Sequence, residues 1–355
     1  MEIRKENEVG KKRFLTLNEM LVNYDTQPKT NYLWNGIKEN SFGLVFGPSK
    51  SGKTIFCENL AMCIAMGKEE FFGYKLNGIP RKVLFVGLEE FWLNRAERNK
   101  MQFEALNEEE QELIGENYRY QEINFQKRIV RNEDWENLIS TIIDAEAEVV
   151  FIDSITRMNL GQLENSADSE KLMQKLREVC YDLRITLICI HHTPKMFDSA
   201  ITMDKIKGSA VFAQESDFAI GINKSTKDHR YLKNVFFRYA ADDNDTVKEF
   251  EIDNSCWLNY FNDIDEDELL ARTDKRKETE KPEVIVNFLN ENCSTTFSKS
   301  ELFQRISAEL GVKERQFGTY LQSLTKKKKI ASSEVGYYSS INYVNTKNQG
   351  ANGDL

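Results

Sequence analysis

Four apolar runs punctuate the first half of the chain: FGLVF (42–46), KVLFVG (82–87), EVVFID (148–153) and TLICI (186–190). Each is short, rich in β-formers and apolar on successive positions, the pattern of a strand covered on both faces. Between the last two, Leu172, Leu176, Val179 and Leu183 recur at helical spacing, so that crossover is predicted to be a helix. Strands that alternate with helices predict a parallel, three-layer α/β sheet. FAIGIN (218–223), YLKNVFFRY (231–239), TVKEFEID (246–253) and CWLNYF (256–261) follow at close spacing and predict antiparallel strands that extend the sheet at one edge.

The pattern changes at either end. Residues 1–40 read as a lead-in, with an amphipathic LTLNEMLVNY and a turn-rich DTQPKTNYLWNG, before the α/β unit of 41–261. The stretch NDIDEDELLARTDKRKETEKP (262–282) is poor in apolar residues and reads as a charged linker or an exposed helix. In 283–345, EVIVNFLNEN, SKSELFQRISAEL and KERQFGTYLQSLTKKKK predict three amphipathic helices and IASSEVGYYSSINYV a hairpin, the order of a winged helix. The tail 346–355 is expected to be disordered.

Composition narrows the class. A length of 355 residues suggests two domains, and 40% hydrophobic with 30% charged residues describes a globular protein. No apolar run approaches the roughly 18 residues that span a bilayer. The start MEIRKENEVGKKRF is charged and has no apolar stretch behind it, so no secretory signal is expected. Cys57, Cys63, Cys180, Cys189, Cys256 and Cys293 lack metal-type spacing, which suits free thiols in a reducing cytoplasm. The net charge of -9 argues against uniform coating of nucleic acid but leaves room for a local basic surface.

The chemistry starts at GPSKSGKT, residues 47–54, which matches G-x-x-x-x-G-K-[ST] between an apolar strand and a helix. Gly47 and Gly52 let the backbone of Pro48, Ser49, Lys50 and Ser51 curl around phosphates, and the helix start adds its positive end. Lys53 is placed to contact the β- and γ-phosphates of ATP, and Thr54 to ligate Mg²⁺. Asp153 closes its strand where a carboxylate can join the Mg²⁺ shell. Ser154 either backs that shell or caps the next turn. Glu89 and Glu90 follow the second run, at the strand end where ligands of open parallel sheets gather, so Glu89 is the candidate to orient or deprotonate water. His191 and His192 end the fourth run and point to opposite faces; no further ligand lies at zinc spacing, and a γ-phosphate contact is the better reading.

P-loop, strand-final glutamate, strand-final aspartate and HHTPK, in that order, resemble the RecA-like ATPases. They look most like the RepA-type replicative helicase branch, whose members are ring-shaped homo-hexamers that hydrolyse ATP. The resemblance covers roughly residues 25 to 260. It implies a RecA-like P-loop core with a parallel central sheet, Glu89 as catalytic base and His192 as γ-phosphate sensor. KGSAVFAQESD (207–217) resembles the segment that follows the DNA-facing loop of these helicases. Arg238 lies where the family carries the arginine that completes a neighbouring subunit's site. The chain departs from the family two residues earlier, with Phe236 where lysine is common and Lys233 displaced upstream. The loop 194–208 is then the channel loop, with Lys195, Lys205 and Lys207 as contacts to single-stranded DNA. In the winged-helix-like unit, Lys313, Arg315 and Lys327 are candidates for phosphates of duplex DNA.

Two functions remain open on the sequence. One is a ring-forming helicase, translocase or loader in replication of a plasmid, phage or mobile element. The other is an ATP-dependent oligomeric switch that binds DNA through the winged helix, in regulation or defence, without unwinding. A small-molecule kinase is disfavoured, because 196–215 holds no arginine for a lid.

Overall fold

A computed structural model describes residues 14–158, 166–206, 209–240, 246–272, 275–310, 312, 314–326, 328–334 and 336–341. Among these, nine strands form one sheet: β1 (Phe42–Pro48), β2 (Val83–Gly87), β3 (Tyr118–Tyr120), β4 (Val149–Asp153), β5 (Thr186–Thr193), β6 (Phe218–Lys224), β7 (Arg230–Phe237), β8 (Thr246–Ile252) and β9 (Leu258–Asp265). Their order across the sheet is β9-β8-β7-β6-β1-β5-β4-β2-β3. The pairs from β6 to β3 are parallel, and β6-β7, β7-β8 and β8-β9 are antiparallel. The α/β class, the mostly parallel centre and the antiparallel extension all follow the hydrophobic pattern. The edge strand β3 does not: its sequence YRY has no apolar run to betray it.

Alternation along each central strand divides the core in two. Leu44, Leu84, Val86, Val150 and Ile152 face one layer, where helices α5 (Asn132–Asp144) and α6 (Ser166–Leu183) contribute Trp135, Leu138, Leu172 and Leu176. Val45, Phe85, Phe151 and Ile188 face the other, against Phe56, Leu60 and Ile64 of α2 (Lys53–Met66). Helix α2 is buried almost all round, which is why IFCENLAMCIAM shows no polar stripe.

The lead-in is not separate from this core. Strands Tyr32–Trp34 and Ile37–Lys38 bury Leu33, Trp34 and Ile37, and Trp34 Nε1 donates to the Phe71 carbonyl at 2.8 Å. Only helix α1 (Leu17–Thr26), capped by Thr16 and Glu19, carries no buried residue. Nor is 262–282 simply a linker. Its first residues complete β9, and helix α8 (Glu266–Ala271) buries Leu269 and Leu270 in the first core layer. Two apolar residues suffice to anchor one helical turn, and the surrounding acids conceal them in a composition average. Helix α9 (Lys275–Glu291) then runs through Pro282.

The C-terminal residues have their own core of Ile285, Leu289, Leu302, Ile306, Phe317 and Leu321. It is built from α9, α10 (Lys299–Leu310) and α11 (Glu314–Lys326) with antiparallel strands Phe297–Ser298, Ala331–Glu334 and Tyr337–Ser339. The tail 346–355 lies outside the described residues. Among those described, no helix is long and apolar enough to cross a membrane.

Candidate active site

Sheet register assembles the site. Parallel pairing sets Gly47 opposite His192 and Gly87 opposite Asp153, so β1, β2, β4 and β5 end side by side. Leu88 N–H donates to the Asp153 carbonyl at 2.7 Å, extending the β2–β4 pairing to the residue before Glu89. Between β1 and α2 the chain turns through Gly52 at φ 109°, a left-handed conformation that favours glycine. At Gly47, a Cβ would lie 1.9 Å from the Ile222 carbonyl oxygen, so only glycine fits.

A cleft of about 520 Å³ opens over this turn. Lys53, Thr54, Glu89, Asp153, Arg98 and His192 line it, with Arg230 and Ile252 supplied by β7 and β8. Lys53 Nζ donates to the Pro48 carbonyl at 2.7 Å, folding the ammonium back over the P-loop. Burial pushes it down to about 8, against the opposing pull of Asp153 and Glu89. Thr54 Oγ1 donates to Asp153 Oδ2 at 2.9 Å. Asp153 is itself buried, and burial raises its carboxyl against the pull of Arg95, 3.6 Å away.

Glu89 is held at three points. Its Oε1 accepts from Ser154 Oγ, and from Thr156 Oγ1 at 2.6 Å; its Oε2 lies 3.0 Å from His192 Nε2. Partial burial pushes the carboxyl up, but the bonds from His192, Ser154 and Thr156 together win and hold it at about 2. Such a group is ionised at any physiological pH, which suits orienting a water better than taking its proton outright. Glu90 is differently engaged: Arg98 Nη2 donates to it at 2.7 Å and reaches Glu58 at the same distance.

The donor set fits ATP and Mg²⁺. Hydroxyl and carboxylate oxygens of Thr54 and Asp153 are the hard ligands that Mg²⁺ takes. The buried Ser51 Oγ has no partner among the described residues, a donor available to a phosphate within the P-loop. Donor atoms of Glu89, Asp153 and His192 lie within 4.8 Å of one another, so all three face one small volume.

The structure thus brings together residues 47–54, Glu89, Asp153 and His192. His191 points the other way, buried and stacked on Phe212 at 4.7 Å between ring centres. Arg238 stays out of its own cleft; its Nη2 donates to the Gln214 carbonyl at 2.9 Å and its Nη1 lies 3.4 Å from Asp217. Lys233 is paired with Glu266. Lys195 is exposed and Lys205 half-buried on the segment after β5. Lys207, Lys313 and Lys327 lie outside the described residues, and of Arg315 only its place on α11 is described. Sequence reading missed the Arg98–Glu58–Glu90 cluster, Thr156, and Arg230. The arginines after LEEFW and the glutamate five residues past Lys53 were visible, but nothing in one dimension says that two helices turn them toward each other.

No curated protein matches the chain. A family model described as an AAA domain matches residues 13–197, more than half of the 355 and including the P-loop, Glu89, Asp153 and His192. The chain belongs to the AAA domain family, the P-loop ATPases whose site the four strand ends assemble here.

Proposed function

We propose that the protein is a RecA-like ATPase that couples ATP hydrolysis to DNA, as a ring-forming RepA-like helicase, translocase or loader. The single observation that carries the hydrolytic part is the Glu89–His192 contact at 3.0 Å, beside the Thr54–Asp153 pair. Lys53 and the P-loop amides bind and orient the triphosphate. Thr54 and Asp153 would hold Mg²⁺, which would supply charge neutralisation at the phosphates. Glu89 aligns the attacking water, and His192, which lines the same cleft and touches Glu89, takes the γ-phosphate sensor role that the family resemblance implies. Coupling to DNA, hexamer formation and winged-helix recognition rest on the order of the motifs and on the C-terminal helices and hairpin.

A second reading is the ATP-dependent switch without unwinding. Arg238 favours it, because this arginine is bonded to carbonyls of its own subunit and must leave them to reach a neighbour's phosphate. ATP turnover with and without single-stranded DNA, beside a mass measurement of the assembly, tests the main reading. DNA-stimulated turnover in a ring is the expected result. A monomer whose hydrolysis ignores DNA sinks it, and a ring that binds DNA with ATP yet displaces no strand selects the switch.

A further inference from the structure

The segment 125–131, FQKRIVR, connects β3 to α5 at the carboxyl edge of the sheet, the edge that carries the active site. It is fastened from beneath. Phe125 and Ile129 are buried in the core, and Gln126 Nε2 donates to the Asp134 carbonyl at 2.7 Å. Asp134 in turn accepts from the amides of Val130 and Arg131 at 3.0 and 2.9 Å. This fastening leaves Lys127 and Arg128 exposed beside an open depression of about 460 Å³. Neither has an ion pair among the described residues, whereas Arg131 is neutralised by Glu133 and Asp134.

A third cation lies on the neighbouring turn. Ile129 N–H donates to the Arg157 carbonyl at 3.0 Å, so the basic segment is hydrogen-bonded to the turn Ile155–Arg157 after β4. Arg157 is half-buried and also without an ion pair among the described residues. That turn carries Thr156, which holds Glu89. Lys127, Arg128 and Arg157 thus lie on two backbone-joined segments, none with an ion pair among the described residues, in a chain of net charge -9.

We infer that Lys127, Arg128 and Arg157 form a contact surface for the phosphodiester backbone of a single-stranded nucleic acid. The surface rests on the nucleic-acid part of the reading above but is separate from the segment 194–208 on which that reading places its contacts. Sequence-independent backbone binding is driven by cations that neutralise phosphates and needs no base-reading side chains. Arg157 is the residue after Thr156, one of the two hydroxyls that hold Glu89.

The test is fluorescence anisotropy of labelled oligothymidylate and oligouridylate binding to the full chain with Mg²⁺ and a non-hydrolysable ATP analogue. Lys127→Glu with Arg128→Glu is expected to weaken binding at least about tenfold. Loss of two phosphate contacts should also make the salt dependence of log K shallower by about 1.4. Lys127→Arg with Arg128→Lys should keep wild-type affinity, since the charge is kept. A milder pair, Lys127→Gln with Arg128→Gln, gives the same direction should the charge reversal disturb folding. Equal losses with both oligomers assign the surface to single strands in general, and a loss with one alone assigns it to that nucleic acid. Wild-type affinity and salt slope in the double-glutamate and double-glutamine variants, with losses only in Lys195→Glu and Lys205→Glu, overturn the surface and leave the function standing. If the wild type binds neither oligonucleotide, both fall together.

Discussion

Glu89 Oε2, two residues past the end of β2, lies 3.0 Å from His192 Nε2 on β5, 103 positions further along the chain. The contact exists because β1 lies between β5 and β6, and β4 between β5 and β2, so the strand ends share one edge. It makes Glu89 the group on which turnover should depend most directly.

Glu89→Gln retains shape and can still accept from Ser154 and Thr156, but loses the negative charge that aligns water. ATP binding, followed with a fluorescent nucleotide, should stay within about threefold of wild type, because the phosphates are held by the P-loop. Phosphate release should fall about 10²-fold or more, the loss expected when a reacting group is no longer held in line. Turnover within a few-fold of wild type removes Glu89 from the mechanism.

Hydrogen bonds hold the Glu89 carboxyl down to about 2 against the upward push of partial burial, those from Ser154 and Thr156 adding to that of His192. Ser154→Ala with Thr156→Val removes two of the bonds and should move the acid limb of kcat/KM to higher pH, toward the ordinary glutamate value of about 4.3. The sign follows from linkage: a depressed carboxyl contributes stability that is complete above its unfolded value and is lost as pH falls from there toward 2. Wild type should therefore hold its activity further into acid than the double variant. Superimposable pH profiles in the two proteins would falsify the assignment of these hydroxyls.

Most of this site was legible before any fold was known, because each residue sits at the end of an apolar run. GPSKSGKT is read from its P-loop pattern, Glu89 and Asp153 from their places where parallel strands stop, and His192 rather than His191 from the family resemblance. Glu58 and Arg98 were not legible, since their partnership depends on the packing of α2 against α3 (Trp92–Glu104), and no periodicity encodes the distance between two helices. The strand β3 hid for a related reason: three residues, YRY, are stabilised by one parallel neighbour rather than by their own pattern. Trp34 was assigned to a lead-in because turn residues surround it; its burial comes from Phe56 and Phe71, which arrive from elsewhere in the chain.

Lys53 gives a prediction on the alkaline side. Burial lowers its ammonium to about 8, so above that pH the free protein must take up a proton as it binds a triphosphate. Affinity for ATP should be flat below pH 8 and weaken toward roughly tenfold per pH unit above it. Calorimetry in buffers of different ionisation enthalpy should show proton uptake only on that limb. A flat affinity from pH 7 to 10 in the wild type rejects Lys53 as the titrating group, as does an unchanged limb in Lys53→Ala.

The last prediction concerns the ion pair beneath the cleft. Glu58 is fully buried, and burial raises its carboxyl even though Arg98 Nε and Nη2 each donate to it at 2.7 Å. Desolvation thus outweighs the guanidinium's support of the charge. Removing one partner or the other therefore has unequal consequences. Arg98→Ala leaves a buried carboxylate with only Arg95, 3.7 Å away, and should cost about 3 to 5 kcal/mol in denaturant unfolding. Glu58→Gln leaves Arg98 paired with Glu90 and should cost only about 1 kcal/mol. The double variant should be more stable than Arg98→Ala alone, because the stranded charge is gone. Strict additivity of the two single losses would show that Glu58 and Arg98 act independently, contrary to the geometry that joins them.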